Sequence, residues 1–157
     1  MQPTSLSSTV SDAAQRPDVR RAVAELHQEV AAEIAKRRPL CVLSGKCCRF
    51  EEYGHRLYIT TLELAAFTAA HAERPAPVIP QPPWDGTGCP FQLNKLCGVH
   101  DIRPFGCRMF FCDSTATQWQ QDQYEKFHAQ LKSLHETLLV PYAYVEWRSA
   151  LTQLGLA

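Results

Sequence analysis

Cysteine is the residue type in this 157-residue chain whose number and spacing could do chemistry. The first cysteines follow the pattern Cys-x5-Cys-Cys, and the others form a second group after a proline-rich stretch. Thiolates are soft ligands that favour zinc or an iron–sulfur cluster over magnesium or calcium. Glycines lie close to both groups, which suits loops that curl around a metal. The sequence therefore predicts a metal centre with seven candidate ligands: Cys41, Cys47, Cys48, Cys89, Cys97, Cys107 and Cys112.

The start of the chain indicates a reducing compartment. Residues 1–13 are polar and rich in serine and threonine, without the cationic start and apolar stretch of a secretory signal. We therefore expect a cytoplasmic protein, whose thiols stay reduced. The odd number of cysteines also excludes complete pairing in disulfides within the chain. Burial of free cysteine as a small apolar residue would explain a few of them, but not their clustering.

The composition excludes several classes of function. The chain has 16 lysines and arginines against 16 aspartates and glutamates, so it lacks the concentrated positive charge of a nucleic-acid or polybasic membrane binder. It has no run of roughly 18 or more apolar residues, which a transmembrane helix needs. The length suits one domain with a core of its own. We expect neither nucleic acid nor a membrane as a partner.

Spacing alone leaves the choice between zinc and iron–sulfur open. A zinc ribbon usually has two tight Cys-x2-Cys pairs, whereas this chain offers only Cys97-x2-His100 as a similar pair. Iron–sulfur clusters take four cysteines at more varied spacings. We favour a four-iron, four-sulfur (4Fe–4S) cluster, with zinc as the alternative. Because the side chains of adjacent residues diverge, we expect Cys47 and Cys48 to have different roles.

Basic residues beside the cysteines are candidates for balancing the charge of a cofactor. A four-thiolate zinc site or an oxidised 4Fe–4S cluster carries about two negative charges, which need donors and counter-charge when buried. Lys46, which directly precedes Cys47, is one such basic residue. The alternative is that these residues are solvated surface charges. The cofactor-binding candidates are Arg49, Arg103 and Arg108.

The second cysteine group carries a longer motif. It combines two spaced cysteines with Arg-Pro-x2-Cys-x2-Phe, and the first group adds a Cys-Cys pair. In this combination the chain resembles the CxxCxxCC cysteine-cluster (YkgJ-like) family, which is described as zinc- or iron-chelating. The resemblance covers residues 41–112 and implies a small metal-binding domain, more often iron–sulfur than zinc. The matching positions are Cys41, Cys47, Cys48, Cys89, Cys97, Val99, His100, Arg103, Pro104, Cys107 and Phe110.

One position departs from the family pattern. Ser44 stands where the family has its second cysteine, and serine oxygen is a poor substitute for thiolate on a soft metal. Cys112 could make up the number of ligands, or position 44 is not essential. The hypothesis for the main site comprises Cys41, Cys48, Cys89 and Cys107. Under this hypothesis, Cys47, Cys97 and Cys112 are a reserve, a second site or packing residues.

The elements that must position these residues are mostly helices. We expect a mainly α fold, in which a small helical domain surrounds an irregular cysteine-rich centre, with room for one short β-hairpin. Residues 1–15 have the composition of a disordered tail, and residues 16–157 predict a single domain. Apolar residues recur at helical spacing over 19–34, and Pro39 ends that helix.

The middle of the chain predicts short elements and a connector. Residues 56–60 have the composition of a strand. Thr61 can cap a helix that runs to about His71, with Glu63 on its polar side. Six of the eleven prolines then fall within residues 75–90, which indicates an extended connector between the two cysteine groups.

Two amphipathic helices are predicted after the last cysteine, as a pair over residues 117–155. Apolar residues from Tyr124 to Leu138 recur at helical spacing, and Pro141 separates them from a second stripe that starts at Tyr144. We expect the two helices to pack against each other and on the first long helix. Their aromatic residues are expected to serve core packing.

Three functions are compatible with these features. The first is an iron–sulfur protein with a redox or electron-transfer role, whose partner is an unknown protein or redox carrier. The second is a zinc-stabilised protein-interaction module. The third is an enzyme whose cysteine nucleophile is activated by His55 or His100. We favour the first, and the sequence leaves open whether the protein is an enzyme.

Overall fold

The computed structural model describes residues 4–41, 45–75 and 86–157, and most of these residues are helical. This confirms the mainly α class. Short 3-10 turns at Lys46–Cys48, His100–Ile102 and Ser114–Ala116 lie between the helices. The described residues contain helices α1 (Leu6–Ala14), α2 (Pro17–Arg37), α3 (Phe50–Tyr53), α4 (Thr61–Ala72), α5 (Phe105–Arg108), α6 (Thr117–Leu138) and α7 (Trp147–Gln153).

Two small antiparallel sheets join the helices. Strand β1 (Tyr58–Thr60) pairs with β4 (Tyr144–Glu146), which brings the end of the chain to its middle. Strands β2 (Gln92–Leu93) and β3 (Leu96–Cys97) form the short hairpin. The two residues of its turn, Asn94 and Lys95, have φ angles of 49° and 66°, as the turns favoured in two-residue hairpins require. This hairpin places Cys97 beside the first cysteine group.

Helix α1 occupies part of the tail that was expected to be disordered over residues 1–15, so that expectation is wrong for the residues the structure describes. Ser5 caps the helix, and its side chain accepts a hydrogen bond from the backbone N–H of Ser8 at 3.2 Å. Val10 and Ala13 are buried where α1 packs against α4. The polar composition of the segment concealed an apolar stripe that is short but buried.

The long helices α2 and α6 bury the stripes that their periodicity indicated. Helix α2 begins at Pro17, as helices accept proline in the first turn, and contacts both α4 and α6. Burial of these stripes supplies the hydrophobic stabilisation that keeps the helices together. The buried residues on the two helices include Val19, Val23, Leu26, Val30, Phe127 and Leu131.

The end of the chain differs from the helical pair predicted over residues 117–155. Tyr144–Glu146 forms strand β4 rather than the start of a helix, and α7 begins only at Trp147. The backbone of this segment pairs with β1, so tertiary contact overrides the helical spacing of its aromatic residues. Trp147 is buried in the core, as expected for the aromatic residues of this segment, and its indole also reaches the cysteine region.

Helix α4 is capped by Thr60, one residue before the predicted cap. Thr60 and Glu63 form a capping box, in which each side chain bonds to the backbone N–H of the other. Glu63 was expected on the polar side of α4, but it is 4% exposed. Its second carboxyl oxygen accepts a hydrogen bond from the backbone N–H of Phe105 at 3.0 Å. Glu63 therefore ties α4 to α5, the helix that carries Cys107.

Two expectations fall on parts of the chain outside the described residues. One concerns Ser44, at the position of the family's second cysteine. The other concerns the proline connector, of which residues 76–85 are not described. Pro75 and Pro90, at the ends of the connector, lie outside the helices and strands. Within the described ranges, no helix is both long enough and apolar enough to cross a membrane.

Candidate metal centre

All seven cysteines line one cavity of about 380 Å³, which we call the thiol cavity. The cavity lies between the turn that carries the first group, the β2–β3 hairpin and helix α5. None of the cysteines forms a disulfide. Two cysteine groups that are separated by a long connector in sequence therefore share a single site. The charged residues on its wall are all cationic among the described residues, namely Lys46, Lys95, Arg103 and Arg108.

Two glycines allow the cysteine segments to approach closely. Gly88 has a φ of 61°, and a Cβ atom there would lie 2.8 Å from the backbone oxygen of Cys48. That oxygen accepts a hydrogen bond from the backbone N–H of Cys89 at 2.7 Å. Gly45 has a φ of 72°, and a Cβ atom there would clash with the backbone oxygen of Lys95. Any side chain at either glycine would push the two cysteine groups apart.

Cys48 is the centre of a compact group of thiols. Its side chain hydrogen-bonds with those of Cys47, Cys89 and Cys97, and it is 3% exposed. A thiol has one proton to donate, so it cannot satisfy three sulfur acceptors together. Cys47 and Cys48 share a 3-10 turn, and their side chains interact. That they have different roles stays a prediction.

The other three cysteines lie at different depths. Cys107 is partly buried, and it interacts electrostatically with Cys47, Cys89 and Cys97. Cys41 is exposed and Cys112 is partly buried, and both are on the wall of the thiol cavity. Of the four main ligands hypothesised, the structure thus brings three together and leaves Cys41 in contact with solvent.

Hydrogen bonding within the group divides the thiols by acidity. The hydrogen bond with Cys48 lowers the pKa of Cys47 to about 6 and that of Cys97 to about 7. The same hydrogen bonds raise the pKa of Cys48 itself. Burial raises the pKa of Cys107. Cys47 is therefore a thiolate near neutral pH, which is the form that binds metal.

Two of the candidate arginines face the thiols. Arg103 donates a hydrogen bond to the backbone oxygen of His100, and Arg108 donates to the backbone oxygens of Arg103 and Asp101 at 2.9 and 3.0 Å. Within the described residues, no carboxylate forms an ion pair with either guanidinium. Their charge therefore acts on the cavity, and Arg103 contributes to the lowered pKa of Cys47.

Arg49, the third candidate, is directed elsewhere. Its guanidinium pairs with Glu52 at 3.1 Å and lies 5.1 Å from the ring centre of Tyr53. It is not part of the wall of the thiol cavity. Lys46 combines both situations, because it lines the cavity while its amino group lies 5.2 Å from the Tyr53 ring centre.

Trp147 and Lys95 are residues of the site that the sequence did not identify. The indole N–H of Trp147 donates a hydrogen bond to the sulfur of Cys89 at 3.4 Å. Lys95 reaches the cavity from the turn of the β2–β3 hairpin. Trp147 follows the helical spacing of a core residue, and Lys95 is one of five lysines in the chain. Neither residue carries a sequence signal for a role at a metal centre.

The residues present fit a thiophilic, negatively charged group better than an oxygen-preferring cation. Cysteine sulfur suits zinc or iron, and the cationic wall suits the negative charge of their thiolate complexes. No three described His, Cys, Asp or Glu side chains stand close enough together to hold a metal ion as they are.

Comparisons with protein-family models, with curated proteins and with solved structures found no match for this chain. The chemistry of the thiol cavity therefore rests on its own residues.

Proposed function

We propose that the thiol cavity holds a 4Fe–4S cluster and that the protein has a redox or electron-transfer role. The observation that carries the proposal is the composition of the cavity wall. It combines all seven cysteines with four cationic side chains, and its described residues include no carboxylate. A surface cavity with this composition is expected to hold an anionic cofactor rather than a free metal cation, because it offers positive charge together with soft ligands.

The volume of the thiol cavity supports a cluster over a single ion. A zinc ion fills the space between four sulfur atoms that lie about 2.3 Å from it, and needs no further volume. The cavity measures about 380 Å³, and more cysteines line it than one zinc ion can use. A cluster would occupy that space and draw its ligands from several directions. When bound, it would supply reversible one-electron transfer.

The inner cysteines are the proposed ligands. Cys48 contacts three thiols from both groups, and Cys107 lies within electrostatic range of those three. We place the four ligands among these five inner cysteines and treat Cys41 and Cys112 as spare. Arg103 and Arg108 would balance the negative charge of the cluster, because no ion pair with another described residue neutralises them. The inner cysteines are Cys47, Cys48, Cys89, Cys97 and Cys107.

Membership of the CxxCxxCC (YkgJ-like) family forms part of the same proposal. It is supported by the motif over residues 41–112 and by the way in which the motif cysteines share one cavity. A cytoplasmic location also belongs to the proposal, and the absence of disulfides among the seven cysteines supports it. The partner would be a redox protein rather than a nucleic acid or a membrane.

A zinc-stabilised interaction module is the second candidate function, and one observation favours it. The sulfur of Cys48 hydrogen-bonds with those of Cys47, Cys89 and Cys97. Tetrahedral zinc ligands lie about 3.8 Å apart, from a zinc–sulfur distance of about 2.3 Å. Four interacting thiols therefore supply the number of ligands that a single ion needs, although no three described side chains hold that geometry as they are. In this case the metal would hold the cysteine loops in place, and the protein would act through its surface.

Serine variants of single cysteines test the proposed ligands. Cys48→Ser and Cys107→Ser should each lose most of the bound metal, because serine oxygen is a poor ligand for iron or zinc. Cys41→Ser is the matched control, and it should keep the metal of the wild type. Circular dichroism would show that the helices are intact in each variant. Full metal in both inner variants, or equal loss in Cys41→Ser, would contradict the ligand assignment.

A further inference from the structure

A second cavity of about 350 Å³ adjoins the thiol cavity. The two cavities share Cys47, Cys107 and Phe110 in their walls. We name it the tyrosine cavity after Tyr58, Tyr124 and Tyr144, which also line it. We propose that the tyrosine cavity binds a small aromatic carboxylate next to the thiols.

The walls of the tyrosine cavity suit an aromatic ring. The rings of Tyr58 and Tyr144 have their centres 5.4 Å apart. Phe110, on the shared wall, stacks on His55 with a centre-to-centre distance of 5.2 Å and is 36% exposed. Aromatic side chains bind other rings through offset or edge contacts. The cavity volume lies at the small end of the range for ligand sites, about 300–1,000 Å³, which suits a molecule with one ring.

The charge of the tyrosine cavity selects an anion. Arg56 lies on its wall and is exposed, and no described residue forms an ion pair with it. The described wall contains no aspartate or glutamate. A guanidinium binds a carboxylate through two parallel hydrogen bonds, so Arg56 is the natural partner for an acid group on the ring.

The other polar groups of the wall show which atoms are available to a ligand. Gln120 exchanges two hydrogen bonds with the backbone of Phe111, and the His55 Nε2 atom bonds to the backbone oxygen of Cys47. These side chains therefore fix the wall. Tyr124 and Tyr144 share one hydrogen bond between their hydroxyls, so one of the two protons is left to donate. A phenol or carboxylate oxygen on the ligand could accept it.

The position of the cavity relates the ligand to the proposed cluster. A molecule that fills it would contact Cys47 and Cys107, two of the inner cysteines. We therefore expect this molecule to be a substrate of the proposed cluster. Its role as a substrate, unlike its binding, rests on the proposed function. Binding itself depends on Arg56 and the tyrosines, so it can be tested whether or not a metal is present.

Calorimetric titration of the purified full chain with 4-hydroxybenzoate tests the proposal. We expect one saturable site per chain. The uncharged analogue 4-hydroxybenzamide should bind about tenfold more weakly, since it lacks the charge that pairs with Arg56. Cyclohexanecarboxylate should also bind more weakly, because it keeps the charge but has no aromatic face.

Variants give the second arm of the experiment. Arg56→Gln should weaken 4-hydroxybenzoate binding by about tenfold or more. The matched control is Arg21→Gln, an exposed arginine on α2 outside this cavity, which should bind as the wild type does.

Several results would overturn the inference. These are the absence of saturable binding, equal binding of the benzoate and the benzamide by the wild type, or unchanged binding in a folded Arg56→Gln variant. The comparison of the two ligands uses only wild-type protein, so it decides the question even if the variant does not fold. Metal analysis of the same samples separates this inference from the proposed function. Metal-free protein that still binds 4-hydroxybenzoate would contradict the proposed metal centre but not the aromatic carboxylate site.

Discussion

Trp147 places an indole N–H 3.4 Å from the sulfur of Cys89. The side chain is 1% exposed, and its ring packs edge-on against Phe67 with a centre-to-centre distance of 4.9 Å. The donor is therefore fixed in place. A hydrogen bond to a thiolate ligand withdraws electron density from the metal and stabilises the more negative, reduced state of a cluster. Under the proposed function, Trp147 would be a positioning residue that acts through Cys89.

Replacing Trp147 by phenylalanine removes that donor while keeping an aromatic ring in the core. We expect the reduction potential of the centre to become more negative, and the smaller ring to cost about 1–3 kcal/mol of stability. Redox titration followed by absorbance measures the potential. Trp119→Phe, the same change in a different core cluster, is the control. A potential in Trp147→Phe that equals the control would show that the hydrogen bond has no effect.

At the scale of residues, the sequence predicted that the cysteines come together but not how the thiols are arranged. Cysteines at loose spacing pointed to one metal centre, and all seven do line one cavity. The contact between Cys47 and Cys48 was not predictable, because it depends on a 3-10 turn that begins after Gly45. Arg49 was a candidate by proximity in sequence, yet its pairing with Glu52 is set by helix α3.

Glu63 connects two elements that carry the site. Its carboxylate completes the cap of α4 through Thr60 and also accepts the backbone N–H of Phe105, at the start of α5. Burial raises the pKa of Glu63, although its hydrogen bonds and the charge of Arg108 oppose that effect. The folded protein thus holds this proton more tightly than the unfolded chain does. This tighter proton binding stabilises the folded protein at low pH. The contribution is lost as pH rises from the ordinary carboxyl pKa through the raised pKa of Glu63.

Glu63→Gln should destabilise the protein by about 1–3 kcal/mol at pH about 4, because one amide N–H would face a backbone donor. The deficit relative to the wild type should shrink at pH about 7, since only the wild type loses the stability of the protonated carboxyl. Urea unfolding at the two pH values measures both quantities.

Glu73→Gln provides a control of opposite sign for this prediction. Its pairing with Arg20 lowers the pKa of Glu73, so that carboxyl contributes stability that is lost as pH falls. The effect should be small because the pair is exposed. A deficit in Glu63→Gln that grows from the lower to the higher pH would contradict the raised pKa.

At the scale of elements, long helices were predictable and short ones were not. The stripes of α2 and α6 extend over several turns, so periodicity alone identifies them. Helix α1 and strand β4 are stabilised by their partners α4 and β1, and sequence periodicity does not report such contacts. Helix α1 therefore looked like a tail, and β4 looked like the first turn of a helix.

The thiol cavity is continuous with the largest core cluster among the residues that the structure describes. Cys89, Cys97 and Cys107 pack against buried residues of that cluster, which also includes Val99 and Trp147. The segments that carry these cysteines contain only short elements, so their backbone has few regular hydrogen bonds of its own. A bound metal would therefore contribute to the stability of the fold as well as to its chemistry.

Removal of the metal should loosen the cysteine loops before the helices. We expect a chelator to lower the melting temperature and to speed trypsin cleavage at Lys95, an exposed residue in the β2–β3 turn. Limited digestion followed by mass spectrometry identifies the first cut. Lys126, in the middle of α6, is the internal control and should be cut later. Equal cleavage with and without the chelator would contradict a stabilising metal.

At the scale of the whole molecule, composition and pattern were sufficient for the mainly α class, which the structure confirms. They were not sufficient for the tyrosine cavity, because its walls come from segments far apart in sequence, such as those of Tyr58 and Tyr144. The strand pairing of β1 with β4 brings these two residues together, and that pairing was not predicted.

The most direct test of the central claim is the absorption spectrum of protein purified without oxygen, with iron, zinc and acid-labile sulfide measured on the same sample. A cluster in the thiol cavity predicts a brown protein that absorbs at about 400 nm, with about four iron and about four sulfide per chain. A colourless protein with about one zinc per chain and no sulfide would contradict it.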